Sequence, residues 1–438
     1  MTATGGMTRD LFQPRAQWIR SPGAFVLLAL MAFLPSAEAP ARTPKARADA
    51  PVLPAGTVLY LHLQTAVSTK TSKPGQPVIA SLAREVEVES GVAIPFGSTF
   101  RGSIEKCSQP ITSDASDQRA QLLLNFGQIA IPGEGNFTLK GHVSGVINAR
   151  ETLLADGTIV GVLQSETPAS LLSGVLVKLG QTNSDVNDQI QRQKIAQVNT
   201  AIELPVGTDI QFTLSEPLSL RSIVPSAGPP QLPEYLHAAV ASVLYNAPQR
   251  AVNKTSRPGD PVNLVFVGTT QEIEQAFRQA GWTEPRRKNQ KSIWKTAQAV
   301  INDDGYNQAP VSDLYLFGRR EDLAFEKTLN TFNKRHHLRL WQTPASAPDG
   351  RPIWLGAATH DVGIDVHPGV VSHATDANLD DERTQVSSDL FLGGAVQAAE
   401  LMAPPHPLSS GMTATGGAWH TDGRLIVIDL KTGPGSAM

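Results

Sequence analysis

Residues 335–341 read Arg-His-His-Leu-Arg-Leu-Trp, and residues 356–361 read Gly-Ala-Ala-Thr-His-Asp. The first run alternates polar and apolar side chains, the second consists mainly of small residues, and the turn segment 344–352 separates them. This pattern predicts two neighbouring antiparallel strands. Five of the ten histidines lie between residues 335 and 383, so the same stretch carries the candidate functional groups.

The two adjacent histidines of the first predicted strand must do different things. Successive side chains of a strand point to opposite faces of its sheet. His337 and Arg339 therefore share one face, and His336 shares the other with Leu338 and Leu340. We interpret His336 as a hydrogen-bonded core histidine and His337 with Arg339 as the functional pair.

Imidazole and carboxylate groups in this window could hold a divalent metal. Such ligands suit zinc, manganese or iron. The candidate metal ligands are His337, Asp361, His373 and Asp376. In an enzyme built on this site, Asp376 or Glu382 would act as the general base.

A predicted helix carries an arginine within its apolar stripe. Arg383 is in line with Leu379, Val386 and Leu390, and an inward-pointing arginine needs a carboxylate or a bound anion. Asp380, three residues earlier, is the predicted structural ion-pair partner. The alternative is an anion site, whose candidate residues are Arg335, His337, Arg339 and Arg383.

Composition excludes several classes of protein. The chain has 438 residues, 41% hydrophobic and 18% charged, which is typical of a folded protein with two or three domains. A net charge of −3 argues against nucleic acid as a partner. The single cysteine, Cys107, excludes an internal disulfide. The motifs of common zinc hydrolases, serine hydrolases, phosphate loops and dinucleotide sites are missing from the sequence.

The first 50 residues are predicted to be a signal peptide and a flexible leader. Arg9, Arg15 and Arg20 precede an apolar run at 23–34. That run is about twelve residues long, too short to cross a bilayer comfortably. We therefore expect an exported protein, periplasmic or extracellular, or tethered to the inner membrane if the signal is not cleaved. No further transmembrane domain is expected.

Residues 51–222 are predicted to form an all-β barrel or sandwich. Leucines alternate with polar residues at 59–63, and similar Pro-x-Gly turns precede strands at 54–56, 95–97 and 205–207. The segment resembles the periplasmic β-barrel domain of TrbI-type conjugation and type IV secretion scaffold proteins. A helical projection interrupts the barrel in that family, and the resemblance implies a helical insertion near 181–198 here.

The Pro/Gly-rich segment 223–233 is predicted to be a linker, residues 234–432 a second domain and 433–438 a tail. In the second domain, residues 262–268 read as a buried strand, Thr269-Thr-Gln-Glu272 as a capping box that begins a helix, and 425–430 as the last strand. We therefore expect a multidomain chain whose second domain is α+β with a mostly antiparallel sheet.

Several ordered motifs of the second domain point to one family. They are Pro-Val-Asn-Leu-Val-Phe-Val-Gly at 261–268, Leu-Tyr-Leu-Phe-Gly-Arg at 314–319, Arg-His-His at 335–337, Gly-Ala-Ala-Thr at 356–359 and Asp-x-Glu-Arg at 380–383. Together they resemble the LssY C-terminal domain over about residues 234–430. Where that family usually has Thr-His-His-Ile-Asp-Pro, residues 372–377 read Ser-His-Ala-Thr-Asp-Ala and lack the second histidine.

The resemblance implies an envelope setting, because LssY domains often occur beside membrane phosphatase-like or other membrane domains. The family has no settled activity. We expect a cell-envelope protein that binds an anionic, phosphate-type ligand or acts as a scaffold, with an envelope protein or an anionic lipid head group as partner. The alternative is a metal-assisted hydrolase of phosphate esters or lipid-linked phosphates, so whether the protein is an enzyme stays open.

Overall fold

The structure is a computed structural model that describes residues 50–113, 116–147, 149–163, 200–285, 313–328, 334–367, 370–413 and 416–432. Nearly all of the predicted leader, the predicted helical insertion near 181–198 and the tail at 433–438 lie outside these ranges. Everything described below belongs to one compact unit, residues 49–438. No helix in the described ranges combines the length and apolarity needed to cross a membrane.

Short strands make up the first domain. They are β1 Val52–Leu53, β2 Val58–Leu63, β3 Val67–Ser68, β4 Pro77–Leu82, β5 Val86–Val88, β6 Gly91–Ile94, β7 Thr99–Ser108, β8 Ile111–Ser113, β9 Ser116–Gln118, β10 Gln121–Ile131, β11 Gly135–Thr138, β12 Gly141–Val146, β13 Thr152–Leu153, β14 Ile159–Val160, β15 Glu203–Leu204, β16 Asp209–Leu214 and β17 Leu218–Ser219.

Nine of these strands form one sheet in the order β12-β16-β2-β4-β7-β10-β14-β13, with β11 paired to β10. At the far end, the turn after β13 returns to β12, where Gly157 lies against the backbone of Val143. The sheet is therefore a nearly closed barrel, and the predicted all-β fold is confirmed. Its interior is filled by every second side chain, as in β2, where Leu59, Leu61 and Leu63 are fully buried.

The three predicted Pro-x-Gly turns share one geometry. In each turn the third residue has positive φ, at Gly56, Gly97 and Gly207. In each, the fourth residue donates its N–H to the proline carbonyl oxygen at 3.2–3.3 Å. This is the type II turn, which favours glycine at its third position because other residues rarely adopt positive φ there.

Within the described ranges, the second domain contains three helices and a larger sheet. Its elements are α1 Glu234–Asn246, β18 Arg250–Val252, β19 Pro258–Pro261, β20 Leu264–Val267, α2 Thr270–Gln279, β21 Tyr315–Leu316, β22 Arg319–Arg320, β23 Leu323–Lys327, β24 Lys334–Ser346, β25 Pro352–His367, β26 Val370–Thr375, α3 Leu379–Leu392, β27 Val396–Met402, β28 Ser410–Met412, β29 Ala418–His420 and β30 Leu425–Leu430.

Seven strands form the main sheet of this domain, in the order β23-β24-β25-β20-β30-β27 with β26 paired to β25. Among its described pairings, only β20 with β30 is parallel. All four residues of β20 are buried, as expected for a central strand covered on both faces. The α+β fold with a mostly antiparallel sheet is therefore confirmed.

Helices cover both faces of this sheet. On one face, Leu236, Val240 and Leu244 of α1 pack with Val265 and Trp341 of the sheet. The sequence analysis did not predict α1, although its leucine and valine recur every fourth residue, which is the helical signal. The other face is covered by α2 and α3.

Capping side chains explain where α2 and α3 begin. Thr269 accepts a hydrogen bond from the N–H of Glu272, and the Glu272 carboxylate accepts one from the N–H of Thr269. The predicted capping box is thus confirmed. Asn378 caps α3 by accepting from the N–H of Asp380, and acidic residues in the first turn complement the helix dipole.

The barrel and the second domain meet through a buried group of charged side chains, which we call the interface ion cluster: His62, Asp209, Lys327 and Asp389. His62 Nδ1 lies 2.8 Å from Asp209 Oδ1, and both belong to the barrel. The Lys327 ammonium lies 2.8 Å from Asp389 Oδ2 and 3.9 Å from Asp209 Oδ2. Lys327 therefore joins a barrel carboxylate to a carboxylate of α3.

Lys327 remains charged although it is buried. Burial is the largest effect and lowers its pKa, but the carboxylates of Asp389 and Asp209 together raise the pKa above the ordinary lysine value. Trp282 Nε1 and Gln385 Nε2 also donate to Asp389, at 2.9 Å and 3.0 Å. The cluster is thus supported by hydrogen bonds as well as by charge.

Replacing Lys327 by methionine should destabilise the protein strongly, because two buried carboxylates lose their cation. Removing one partner of a buried ion pair costs about 3–5 kcal/mol. Chemical denaturation measures this cost. Lys140→Met is the control, since Lys140 and Glu216 form an exposed ion pair worth less than about 1 kcal/mol. Equal small losses in both variants would contradict a docking role for the cluster.

Candidate functional site

A cavity of about 350 Å³ lies between the barrel and the second domain. We call it the interface cavity. Its polar lining residues are Tyr60, Arg84 and Gln211 from the barrel, and Lys334, His336, His360, Asp376, Asp381, Glu382 and Gln385 from the second domain. Its volume lies in the range of small-molecule sites, about 300–1,000 Å³, which frequently form where domains meet.

Two stacked histidines form one wall of the interface cavity. His336 of β24 and His360 of β25 are directly opposite in the strand register. Their rings lie 4.4 Å apart and are nearly parallel, at 13°. Both side chains are buried. Because cross-strand neighbours on one face come close together, the strand pairing itself creates this pair.

Helix α3 supplies a carboxylate to one of the two rings. Glu382 Oε2 lies 2.6 Å from His336 Nδ1, and both side chains are almost fully buried. Burial is the largest effect and lowers the pKa of His336, but Glu382 and Asp209 raise the pKa above the ordinary histidine value. Glu382 therefore favours the protonated form of His336, while burial also raises the pKa of Glu382 itself.

The second ring has the opposite charge state. Burial, followed by the charge on His336, lowers the pKa of His360 well below the ordinary histidine value. His360 is therefore a neutral imidazole. The cavity wall thus presents one charged and one neutral ring of the same chemical type.

Three residues that line the cavity each carry a buried nitrogen without a hydrogen-bond partner among the described residues: Arg84 Nε, His336 Nε2 and His360 Nε2. The other nitrogens of Arg84 are engaged, since Nη1 donates to Asp381 Oδ1 at 2.6 Å and Nη2 to its carbonyl oxygen at 3.2 Å. The Arg84 guanidinium also lies 3.8 Å from the Tyr60 ring centre. Arg84 is therefore fixed in place by both domains.

His337 and Asp361, two of the predicted site residues, meet on the opposite face of the sheet. His337 Nε2 lies 2.6 Å from Asp361 Oδ2. Arg335 contacts the same carboxylate at 3.4 Å and Glu326 at 3.2 Å. Burial is the largest effect and lowers the pKa of His337. Asp361 raises this pKa and Arg335 lowers it, and the resulting pKa is about 3. His337 is thus a neutral, buried histidine.

The predicted anion site is not assembled. Arg335 is ion-paired as described, Arg339 lies 3.3 Å from Asp260, and Arg383 contacts Asp422 at 2.8 Å and 3.1 Å. Arg383 Nη1 also lies 3.1 Å from Asp380 Oδ1. Each guanidinium thus already has a carboxylate, because burying an uncompensated arginine is costly. We therefore withdraw Arg335, His337, Arg339 and Arg383 as a common anion site.

The predicted metal ligands are divided between the two faces of the sheet. His337 and Asp361 lie on one face, whereas Asp376 lines the interface cavity with His360 on the other. His373 lies on β26 opposite Ile364. Its side chain is outside the described part of the structure. The structure therefore does not place Asp376 with His337 and Asp361, because successive residues of β25 point to opposite faces.

A different trio comes close enough to suggest a metal. Among the described residues, His62, Asp209 and Asp389 bring three possible ligand atoms within 4.8 Å of one another. Lys327 already places its ammonium between the two carboxylates. The trio therefore belongs to the interface ion cluster, in which a lysine supplies the cation.

Sequence reasoning assigned His336 to the core and left Arg84 and His360 out of the candidate site. His336 is hydrogen-bonded and buried, yet it also lines the interface cavity. The sequence does not show where the barrel packs on the second domain. Arg84, which is distant in sequence from the histidines, could therefore not be assigned to the same site. Only the Asp-x-Glu-Arg motif at 380–383 hinted at a carboxylate near them.

Comparison with protein families addresses the second domain. Residues 244–425 match the family model described as LssY C-terminus. This part of the chain is similar to the LssY C-terminal domain. The match lies inside the span expected from the sequence motifs and includes the whole β24–β25 hairpin. From here on we call the second domain the LssY domain.

One solved structure with similarity to this chain is described as "Structure of ComB10 of the Com Type IV secretion system of Helicobacter pylori". The two share 16% sequence identity with a TM-score of 0.22, over 38% of this chain and 88% of that chain. The barrel assignment is therefore based on the strand pairing of this chain alone. No curated protein matches this chain.

The depressed pKa of His337 predicts a loss of stability in acid. The unfolded chain binds a proton at about pH 6.5, and the folded protein does so only near pH 3. Lowering the pH from 6.5 towards 3 therefore favours the unfolded state. At pH 4.5 His337 therefore destabilises the folded state by roughly 3 kcal/mol relative to high pH.

Denaturation at pH 7 and pH 4.5 measures this effect. The variant His337→Gln should lose clearly less stability over that range than the unchanged protein. The same pH dependence in both proteins would show that the pKa of His337 is not lowered by folding.

Proposed function

We propose that this protein is an exported cell-envelope protein whose LssY domain, together with the barrel, binds a phosphate-type anion in the interface cavity. The observation that carries the proposal is a pair of buried nitrogens without partners among the described residues, Arg84 Nε and His336 Nε2, beside Nε2 of the neutral His360 ring. A buried donor without a partner costs about 1–3 kcal/mol. An oxyanion offers several acceptor oxygens and would relieve that cost at more than one donor.

The cavity also contains carboxylates, but each is already engaged. Asp381 accepts from Arg84, Glu382 Oε2 from His336, and Asp376 Oδ1 from the N–H of Asn378. Asp381 and Glu382 thus each face a basic side chain, and Asp376 is held by a backbone N–H. Glu382 Oε1 has no hydrogen-bond partner among the described residues, and it could accept a hydrogen bond from a protonated phosphate oxygen.

The interface cavity is lined by other residues than the anion site expected from the sequence. The ligand that we propose for it is of the same class, a phosphate-type anion. Arg84 and His336 are paired with Asp381 and Glu382, but each keeps another nitrogen without a partner among the described residues. Lys334 also lines the cavity. Phosphate groups occur as free anions, as esters and as lipid head groups. An anionic lipid head group or a phosphate carried by another envelope component is therefore the partner that we propose.

Inorganic phosphate should raise the melting temperature of the purified full chain. A ligand at about 100 times its Kd stabilises a folded protein by about 2.7 kcal/mol. His360→Gln should reduce this shift, because it removes one ring from the cavity wall. His337→Gln is the matched control, since His337 is a buried histidine on the opposite face of the same sheet.

An equal phosphate shift in both variants would place the anion elsewhere on the protein. No shift at any phosphate concentration, in a protein that is folded by circular dichroism, would refute the anion-binding proposal.

The proposed export has an independent test. Expressed in a bacterial host, the protein should be recovered from the periplasm or the medium without its first 40–50 residues or so. Mass spectrometry of the intact protein gives the cut. A full-length product confined to the cytoplasm would contradict export and leave the cavity proposal untouched.

A further inference from the structure

The two histidines of the interface cavity form an unusual pair, because they have the same side chain in different settings. His336 contacts the Glu382 carboxylate at 2.6 Å, and within the described ranges the His360 ring has no such carboxylate contact. The rings are stacked 4.4 Å apart. Each has an Nε2 atom without a partner among the described residues.

We infer that the interface cavity hydrolyses a phosphate monoester, with His336 as the general acid and His360 as the general base. The inference rests on the proposed anion binding, because the same Arg84 and Lys334 would hold the phosphoryl group. It differs from a metal-assisted reaction in using two imidazoles for both proton transfers.

The spacing of the rings suits this reaction. In an in-line displacement at phosphorus, two catalytic groups serve the attacking and the leaving oxygen, and in two-metal sites these groups lie about 3.5–4 Å apart. The ring centres of His336 and His360 are 4.4 Å apart. Two imidazoles stacked this closely on one cavity wall place two proton-transfer groups beside a single bound phosphoryl group.

The two proton transfers balance, and the reaction needs no reactant other than water and the ester. His360 Nε2 takes a proton from water as the water oxygen forms its bond to phosphorus. The ester P–O bond breaks, and His336 Nε2 donates its proton to the leaving oxygen. The products are an alcohol and inorganic phosphate, and one proton returns from His360 to His336 directly or through solvent.

The charge states of the free protein match these roles. Pairs of titratable groups whose surroundings push their pKa values apart divide into an acid and a base. The pKa of His336 is raised and that of His360 is lowered. His336 therefore begins with a proton to give, and His360 begins with a free lone pair.

Glu382 would act through His336 and is a positioning residue. Its carboxylate holds Nδ1 of the ring, which orients Nε2 and stabilises the imidazolium, as carboxylates do in other His–carboxylate pairs. Glu382→Gln should lower kcat and leave KM nearly unchanged. Glu382→Asp should recover part of kcat, whereas a merely structural role would affect both parameters together.

The decisive test compares two soluble substrates, p-nitrophenyl phosphate and glycerol 3-phosphate, with the full chain in the presence of a chelator. The nitrophenolate leaves without protonation, whereas the alkoxide of glycerol needs an acid. His336→Gln should therefore lose about 10²- to 10⁴-fold on glycerol 3-phosphate and far less on p-nitrophenyl phosphate. His360→Gln should lose similar factors on both substrates.

His337→Gln serves as the matched control and should retain the activity of the unchanged protein. A parallel assay with phosphatidic acid in detergent micelles distinguishes a lipid head group from a free phosphate ester. Turnover of only the lipid or only the soluble esters would assign the source. If only the lipid is turned over, a loss in His336→Gln and His360→Gln but not in His337→Gln supports the mechanism, and equal turnover in all three variants refutes it.

Phosphate binding and the melting temperature of every variant are measured in the same preparations. A protein that binds phosphate but hydrolyses none of the three substrates would overturn the catalytic inference and leave the binding proposal standing. A protein that neither binds nor hydrolyses would overturn both. Equal losses of His336→Gln on the two soluble substrates would refute the general-acid role.

Discussion

The contact between Lys327 and the two carboxylates of Asp209 and Asp389 is the constraint on which the rest of the structure depends. Asp209 belongs to the barrel and Asp389 to α3, and both are almost completely buried. A buried carboxylate is tolerated only with a cation and hydrogen bonds nearby. The barrel can therefore dock on the LssY domain only where its carboxylate meets this lysine. That position brings Arg84 beside Asp381 and encloses the interface cavity.

The strand β24 shows how one residue of offset separates two environments. His336 and His337 are adjacent, yet one lies beside Glu382 in the interface cavity and the other beside Asp361 on the opposite face. Their pKa values move in opposite directions because the balance of nearby charges differs: Glu382 and Asp209 outweigh burial for the first, and Arg335 reinforces burial for the second. The pair of histidines in the sequence is therefore two unrelated groups.

The same separation explains the fate of the arginines. Arg335, Arg339 and Arg383 drew attention because an inward-pointing arginine needs a negative partner. The protein supplies that partner each time, through Asp361, Asp260 and Asp422. The arginine that lines the cavity is Arg84, a residue of the barrel. A search confined to the LssY domain could not find it, because part of the cavity wall belongs to the other domain.

Local patterns in the sequence predicted the alternating strands of the barrel, the Pro-x-Gly turns at 54–56, 95–97 and 205–207, the capping box at Thr269 and the family motifs of the LssY domain. These are local signals, written in neighbouring residues. Only the tertiary structure decided which face of the sheet carries the site, because that depends on how distant segments pack. Charges such as Asp209 and Lys327 have no local pattern that pairs them, and burial alone makes their attraction strong enough to matter.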